Sequence, residues 1–390
     1  MDGMKQLFSP LTLQIPATVA PSSPQPEKLD FSSRLIMPPM CMYQAAPTGV
    51  DQGNPNDFHL AHYGARAQSV AAVIVEATGV VPEGRISNQC LSLGRDDQVP
   101  AFARLAHAIH AGGAKAGIQL NHSGRKGAGR PGAELVESAR AWNPNYPQQV
   151  SEAELSWPLV APSAVRFSED YAVPQELTEA QIDEIVEAFG AAARRAADAG
   201  FDFVQVHGAH GYLLSSFLSP AANQRTDQYG GSLENRARFL LRVVERVGQY
   251  LPVAVRISAV DWQAEGQPGF NLADAQKVAV WLAEHGVFMV NVSTGGNLAD
   301  AQIPAGPGYQ VFAAAAVRQA LQEAGFAGVP VSAVGIITSA AQAETVLVSG
   351  QADLVEVGRP LLVDPLLGAR WRHELGAPPA LPPSYVRARF

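Results

Sequence analysis

The sequence is poor in cysteine and in long apolar runs, and each shortage removes a class of protein. Its 390 residues include two cysteines, Cys41 and Cys90. Two thiols make no disulfide framework, and their spacing matches no zinc or iron–sulfur pattern. No stretch of about 18 apolar residues is present, so nothing reads as a membrane span. The opening residues, MDGMKQLFSP, lack the apolar region and cleavage site of a signal peptide. The net charge of −8 is spread along the chain rather than held in a tail. An acidic surface disfavours nucleic acid and anionic membrane as partners. A cytoplasmic protein with small-molecule partners is expected.

What is there is an alternation. Strand candidates lie at 34–40, 71–77, 114–120, 202–208, 252–258, 287–293, 329–335 and 352–358, with helical patterns between them. Most are continuous apolar runs, as in strands covered on both faces. Thr178-Glu179-Ala180-Gln181 is a capping box opening a long Ala-rich helix that ends at Gly200. Ser232 can cap the next helix, and a last helix is expected near residue 370. Eight strands each followed by a helix predict an α/β fold, a (β/α)8 TIM barrel in one domain over 1–390. Three pieces lie outside the repeat. These are an N-terminal arm (1–33), irregular where it is rich in Pro and Ser at 16–27, a rim loop (127–160) after the third strand, and a C-terminal tail (376–390).

In this fold functional groups stand at the C-terminal ends of strands. The first candidate strand ends in Pro39, Met40 and Cys41, with Tyr43 beyond; the second ends in Glu76 and Ala77. The third ends in Gln119, followed by Asn121 and His122, and the fourth in His207, followed by His210 and Tyr212. The fifth carries Arg256, the seventh ends in Gly335, and the eighth in Gly358 and Arg359.

Gly335, Gly358 and Arg359 suit a phosphate, because glycine lets backbone amides approach and arginine adds a charged fork. The same glycines could merely turn the chain, with Arg359 in a structural ion pair. Arg256 and Gln119 could serve one planar heterocycle, or satisfy each other internally. His207 and His210 could begin a zinc site, but no third ligand is evident. As neutral imidazoles they could instead donate to a substrate oxygen that gains negative charge. Tyr212, protonated at neutral pH, could act as a general acid. Cys41 and Cys90 read as small buried hydrophobes. Histidines 59, 62, 107, 110, 285 and 373 read as surface or packing residues. The tryptophans read as packing, though Trp142 and Trp157 could line the loop.

These strand ends resemble the old yellow enzyme family, specifically its cysteine-containing, thermophilic-like ene-reductases. The likeness runs through PPMCMY (38–43), IVEATGVVPEGRIS (74–87), GIQLNHSGRK (117–126), VHGAHGYLLSSFLSPAANQRTDQYGGSLENRARF (206–239), VRIS (255–258) and VGRPLLVDP (357–365). The resemblance implies an NAD(P)H-dependent FMN enzyme that reduces activated alkenes, α,β-unsaturated carbonyl and nitro compounds, with NADPH favoured over NADH and no metal. It implies that Pro38, Pro39, Met40, Cys41, Ala77, Gln119 and Arg256 surround the flavin ring, and that Gly335, Gly358 and Arg359 hold its phosphate. His207 and His210 would bind the substrate oxygen, Tyr212 would give the proton, and Tyr43 would face the substrate. Arg387, in the tail, would reach a neighbouring subunit's site in a homodimer or homotetramer. The loop 127–160 and the arm 10–32 differ from those of compact relatives. Two rivals remain open at this point, a zinc barrel hydrolase and a flavin-binding barrel without catalysis.

Overall fold

Strands that are apolar on both faces must be covered on both, and here they are covered by closing on themselves. The computed structural model describes residues 5–16, 26–129, 157–385 and 387–388. Its barrel strands are β3 (Leu35–Met37), β4 (Ala72–Gly79), β5 (Lys115–Asn121), β8 (Phe203–Gly208), β9 (Val253–Ser258), β10 (Met289–Ser293), β11 (Val331–Ala333) and β12 (Leu354–Glu356). They pair in that order, all parallel, and β12 returns to β3. All eight expected strands form. The first, seventh and eighth are trimmed most, each to three residues; beyond the seventh, Gly335 takes a φ of +122° that L side chains avoid.

Each strand feeds at least one helix. The helices are α1 (Asp57–Arg66), α2 (Val99–Ala111), α3 (Glu179–Asp198), α4 (Leu213–Leu218), α5 (Leu233–Gly248), α6 (Leu272–Glu284), α7 (Val311–Glu323), α8 (Ala340–Val348), α9 (Arg359–Val363) and α10 (Leu367–Glu374). The long helix α3 begins as its sequence requires. Thr178 Oγ1 accepts from Gln181 N at 3.3 Å, and Gln181 Oε1 accepts from Thr178 N at 2.9 Å. Its buried face, Ile182, Ile185, Val186 and Phe189, recurs at helical spacing. Ser232 caps α5 by accepting from Asn235 N.

Inside the barrel the side chains stack in layers, because alternate residues of a strand share a face. The lowest layer is apolar: Ile36, Ala72, Phe203, Ala254, Met289 and Leu354 belong to one buried cluster. The next is polar: Gln119, Gln205, Arg256, Asn291, Ser332 and Glu356 are all buried. Along β8 the sequence Phe203, Gln205, His207 steps from floor to rim on one face.

The arm also carries two strands on either side of its Pro/Ser-rich stretch: β1 (Leu11–Gln14) and β2 (Lys28–Phe31) form an antiparallel hairpin, and residues 17–25 between them lie outside the described residues. Leu13, Leu29 and Phe31 are buried with the lowest layer, so the hairpin plugs the barrel floor. Alternation was short enough in these four-residue strands to be masked by the Pro/Ser-rich stretch between them. Of the rim loop, residues 130–156, including Trp142, lie outside the described residues. Its end returns as β6 (Val160–Ala161), which pairs with β7 (Gln175–Glu176). Trp157 receives the Arg85 guanidinium over its ring at 5.4 Å.

Phe203 is the keystone of the floor. Its ring is edge-on to Phe288 at 5.6 Å and tilted against Phe31 at 6.2 Å. It also lies over Gly117, where a Cβ would come within 2.3 Å of it. Phe203→Ala should cost about 3–5 kcal/mol by leaving a cavity under the hairpin. The loss is read as a lower urea midpoint at unchanged slope. A wild-type midpoint would contradict this packing.

Candidate functional site

The rim of the barrel gathers rings from one turn. His207 is the penultimate residue of β8, and the chain then turns through His210 and Gly211 to Tyr212, just before α4. The His207 ring lies edge-on to His210 at 5.2 Å and to Tyr212 at 5.0 Å. His210 has a φ of +61°, which costs a residue with a side chain roughly 1–2 kcal/mol. Three contacts hold it there. Its N–H donates to Ser258 Oγ at 2.9 Å, its carbonyl accepts from Lys126 Nζ at 2.8 Å, and its Nε2 lies 2.8 Å from Ser293 Oγ. Gly296 makes the approach possible, since a Cβ there would fall 2.4 Å from the His210 backbone.

Burial sets the protonation states. Desolvation, then the charges of Arg256 and Lys126, push His207 well below the ordinary imidazole range. Desolvation, Arg256, His207 and Lys126 do the same to His210. Burial pushes the Tyr212 phenol well above its ordinary value, so it keeps its proton at neutral pH. Lys126 is itself pushed down to about 8 by burial and the neighbouring Arg125 charge. Among the described residues, no group of three or more His, Cys, Asp or Glu could hold a metal ion.

Beside these rings runs a cleft of about 330 Å³. Pro38, Pro39, Met40, His210, Arg256, Gly335, Gly358 and Arg359 all line it. Arg256 is buried with its Nε unpartnered, and the charge of Glu356 partly offsets its desolvation. Glu356 accepts from Ser332 Oγ through Oε1 while its Oε2 has no partner. At Gly358 a Cβ would meet Met40 Sδ at 3.1 Å, and at Gly335 it would meet Gln310 Nε2 at 2.6 Å. The backbone therefore forms part of the cleft wall. Arg359 is exposed and makes no ion pair among the described residues. Ala77 is buried on β4. Gln119 is buried on β5 and donates through Nε2 to Gln205 Oε1 at 2.7 Å, so part of its capacity is internal.

Cys41 and Tyr43 sit on the segment after β3. Glu76 pins it: one carboxylate oxygen accepts from Met42 N at 2.9 Å, and the other accepts from the Tyr63 hydroxyl at 3.2 Å. His59, fully buried, stands 3.5 Å from the same carboxylate. The Cys41 thiol donates to the Cys90 sulfur. That contact, burial and the Glu76 charge push the Cys41 thiol up, so it remains a thiol. Cys90 is fully buried, as a small packing residue would be, and it adjoins Cys41. Arg387 is exposed.

Sequence reasoning missed Lys126, Ser293, Gln310 and Glu356. Lys126 stood inside GIQLNHSGRK with nothing local to mark it; in space its Nζ bridges the His210 and Gly296 carbonyls at 2.8 and 2.9 Å. Ser293 and Glu356 were polar ends of apolar strands, a signal that could have been read by counting every second residue.

The model of the NADH:flavin oxidoreductase / NADH oxidase family matches residues 27–377. The chain is 40% identical over 386 residues to an NADPH dehydrogenase of Bacillus pumilus (strain SAFR-032), covering 98% of this chain and 99% of that one. It is 37% identical to an NADPH dehydrogenase of Bacillus subtilis (strain 168), with the same coverage. Among solved structures it is similar to morphinone reductase in complex with tetrahydroNAD. The TM-score is 0.70 at 29% identity, over 97% of this chain and 93% of that one.

The two rim imidazoles should stay neutral well into acid. Because their folded-state pKa is depressed, their ring C–H resonances should not move between about pH 8 and about pH 5.5, a range across which an unperturbed histidine titrates. Arg256→Met removes a repelling charge, so it should raise both midpoints. A titration near the ordinary imidazole value in the wild-type protein would contradict the site's electrostatics.

Proposed function

Since the chain belongs to the NADH:flavin oxidoreductase / NADH oxidase family, as an old yellow enzyme-type oxidoreductase, we propose that it reduces the C=C bond of α,β-unsaturated carbonyl and nitro compounds. Its cofactors are FMN and NAD(P)H. The residues present fit FMN. An unpartnered Arg256 Nε and an unpartnered Gln205 Nε2 are buried in the barrel, and the cleft wall at Gly335 and Gly358 has no room for side chains. Pro38, Pro39, Met40, Cys41, Ala77, Gln119 and Arg256 would border its ring. Gly335, Gly358 and Arg359 would hold its phosphate. When bound, FMN would supply the hydride-transfer chemistry, with NADPH or NADH as the hydride source and the β-carbon of the acceptor as its destination.

The observation that carries the reading is the packing of two desolvated, neutral imidazoles and one protonated phenol at the edge of that cleft. An activated alkene gains negative charge on its carbonyl or nitro oxygen as its β-carbon is reduced. His207 and His210 donate to that oxygen, and donors held in a dry site favour the charge more than water would. Neutral donors suit this step, because an imidazolium would protonate the oxygen rather than share a proton with it. Tyr212 then delivers its proton to the α-carbon, and Tyr43 borders the substrate. The phenol's raised pKa keeps that proton available.

An anaerobic titration tests the whole proposal. NADPH should bleach the visible flavin band, and 2-cyclohexenone should restore it. Protein with no flavin band, or a band NADPH does not bleach, would overturn it. Tyr212→Phe should slow reoxidation by 2-cyclohexenone roughly 10²–10⁴-fold and leave reduction by NADPH near wild type. Equal losses in both halves would remove Tyr212 from the acid role. Arg387, exposed at the tail, is proposed to complete the site of a second copy in a homodimer or homotetramer. Arg387→Ala should raise KM for 2-cyclohexenone; an active monomer with unchanged KM would exclude that role.

A further inference from the structure

His207 and His210 are not equivalent donors. A neutral imidazole carries one proton, so each ring offers a donor at one nitrogen only. For His207 the choice is made locally. Ala209 N donates to Nδ1 at 3.3 Å, which leaves the proton on Nε2.

His210 is arranged the other way round. Its Nε2 lies 2.8 Å from Ser293 Oγ, so the nitrogen left for a ligand is Nδ1. Gln310 decides where the proton sits. Thr294 N donates to Gln310 Oε1 at 2.5 Å, which identifies that atom as the amide oxygen. Ser293 Oγ and Thr294 Oγ1 approach the same oxygen at 2.8 and 3.1 Å. While Ser293 donates to Gln310, its oxygen can only accept from His210 Nε2–H. The His210 Nδ1 is then a bare lone pair, which repels a carbonyl oxygen.

The alternative arrangement is close at hand. Three donors converge on an amide oxygen that has two lone pairs. If the Ser293 hydroxyl turns to donate to His210 Nε2, Gln310 keeps both donors from Thr294 and no buried group is orphaned. The imidazole releases its Nε2 proton and takes one at Nδ1 through water in the cleft, so its charge does not change. Burial, then the charges of Arg256 and Lys126, disfavour the doubly protonated ring, which makes the choice between nitrogens exclusive.

We propose that Ser293 is a positioning residue that selects the tautomer of His210, turning from Gln310 to His210 Nε2 when substrate binds so that Nδ1–H meets the substrate oxygen. This rests on the proposed role of His210 as a ligand of that oxygen.

The test uses FMN-loaded, oxidised enzyme with ¹⁵N-labelled histidine and no reductant. Ring nitrogen spectra are recorded without and with saturating 2-cyclohexenone. His207 should remain Nε2–H in both. His210 should be Nε2–H alone and Nδ1–H in the complex. Ser293→Ala should abolish the change and weaken 2-cyclohexenone binding about 5–10-fold, the size of one neutral hydrogen bond. Ser293→Thr, which keeps the hydroxyl, should restore both. Binding with an unmoved His210 proton, or Ser293→Ala binding as tightly as wild type, would overturn the proposal alone. If Ser293→Ala fails to retain FMN, the wild-type spectra decide. No binding of 2-cyclohexenone by the wild type would instead overturn the ene-reductase reading on which it rests.

Discussion

One guanidinium, that of Arg256, is fixed in the middle of the barrel, and the state of the site follows from it. It stands in register between His207 on β8 and Asn291 on β10. Beneath it the apolar layer and the N-terminal hairpin exclude water. A charge in such surroundings is felt strongly by its neighbours. Burial, and after it this charge, press the two rim histidines toward the neutral form, and the negative charge of Glu356 supports the guanidinium in turn. The polar layer is costly to bury, and most of it is paired within the barrel. Left unpaired in that layer are Gln205 Nε2, Arg256 Nε, Asn291 Oδ1 and Glu356 Oε2.

The second constraint is the turn after β8. His210 adopts a left-handed backbone although it is not glycine, and it is held by groups from three other strand ends. Gly211 and Gly296 interlock there, since a Cβ on Gly211 would fall 2.0 Å from the Gly296 carbonyl oxygen. Position of the rings is thus bought with backbone strain and restored by long-range hydrogen bonds. The site depends on the loops after β5, β9 and β10 as much as on its own.

Much of this was legible in advance. The eight strands, the capped helices, the mouth residues and the family emerged from local patterns and motifs. The apolar runs were read as uniform, however, and that hid the inner polar layer. Arg256 and Gln119 stood out, whereas Gln205, Asn291, Ser332 and Glu356 did not, because a single polar residue in an apolar strand carries no local meaning. The hairpin at the floor was missed for a related reason. Its strands are short, and the partner surface that buries Leu13 and Phe31 is formed by strands far away in sequence.

Sequence by itself determined which residues lie at or within a few positions of each strand's C-terminal end, since alternation is a local property. It also determined the chemistry available, two imidazoles, a phenol and a guanidinium. Only the tertiary structure decided their protonation states, because desolvation and the Arg256 charge act across space. It alone brought Cys90 to Cys41, Lys126 to the His210 carbonyl and Ser293 to the His210 ring. Those contacts join residues as far as 84 positions apart, as for Lys126 and His210. Closing the barrel sets such distances, and no local pattern records them.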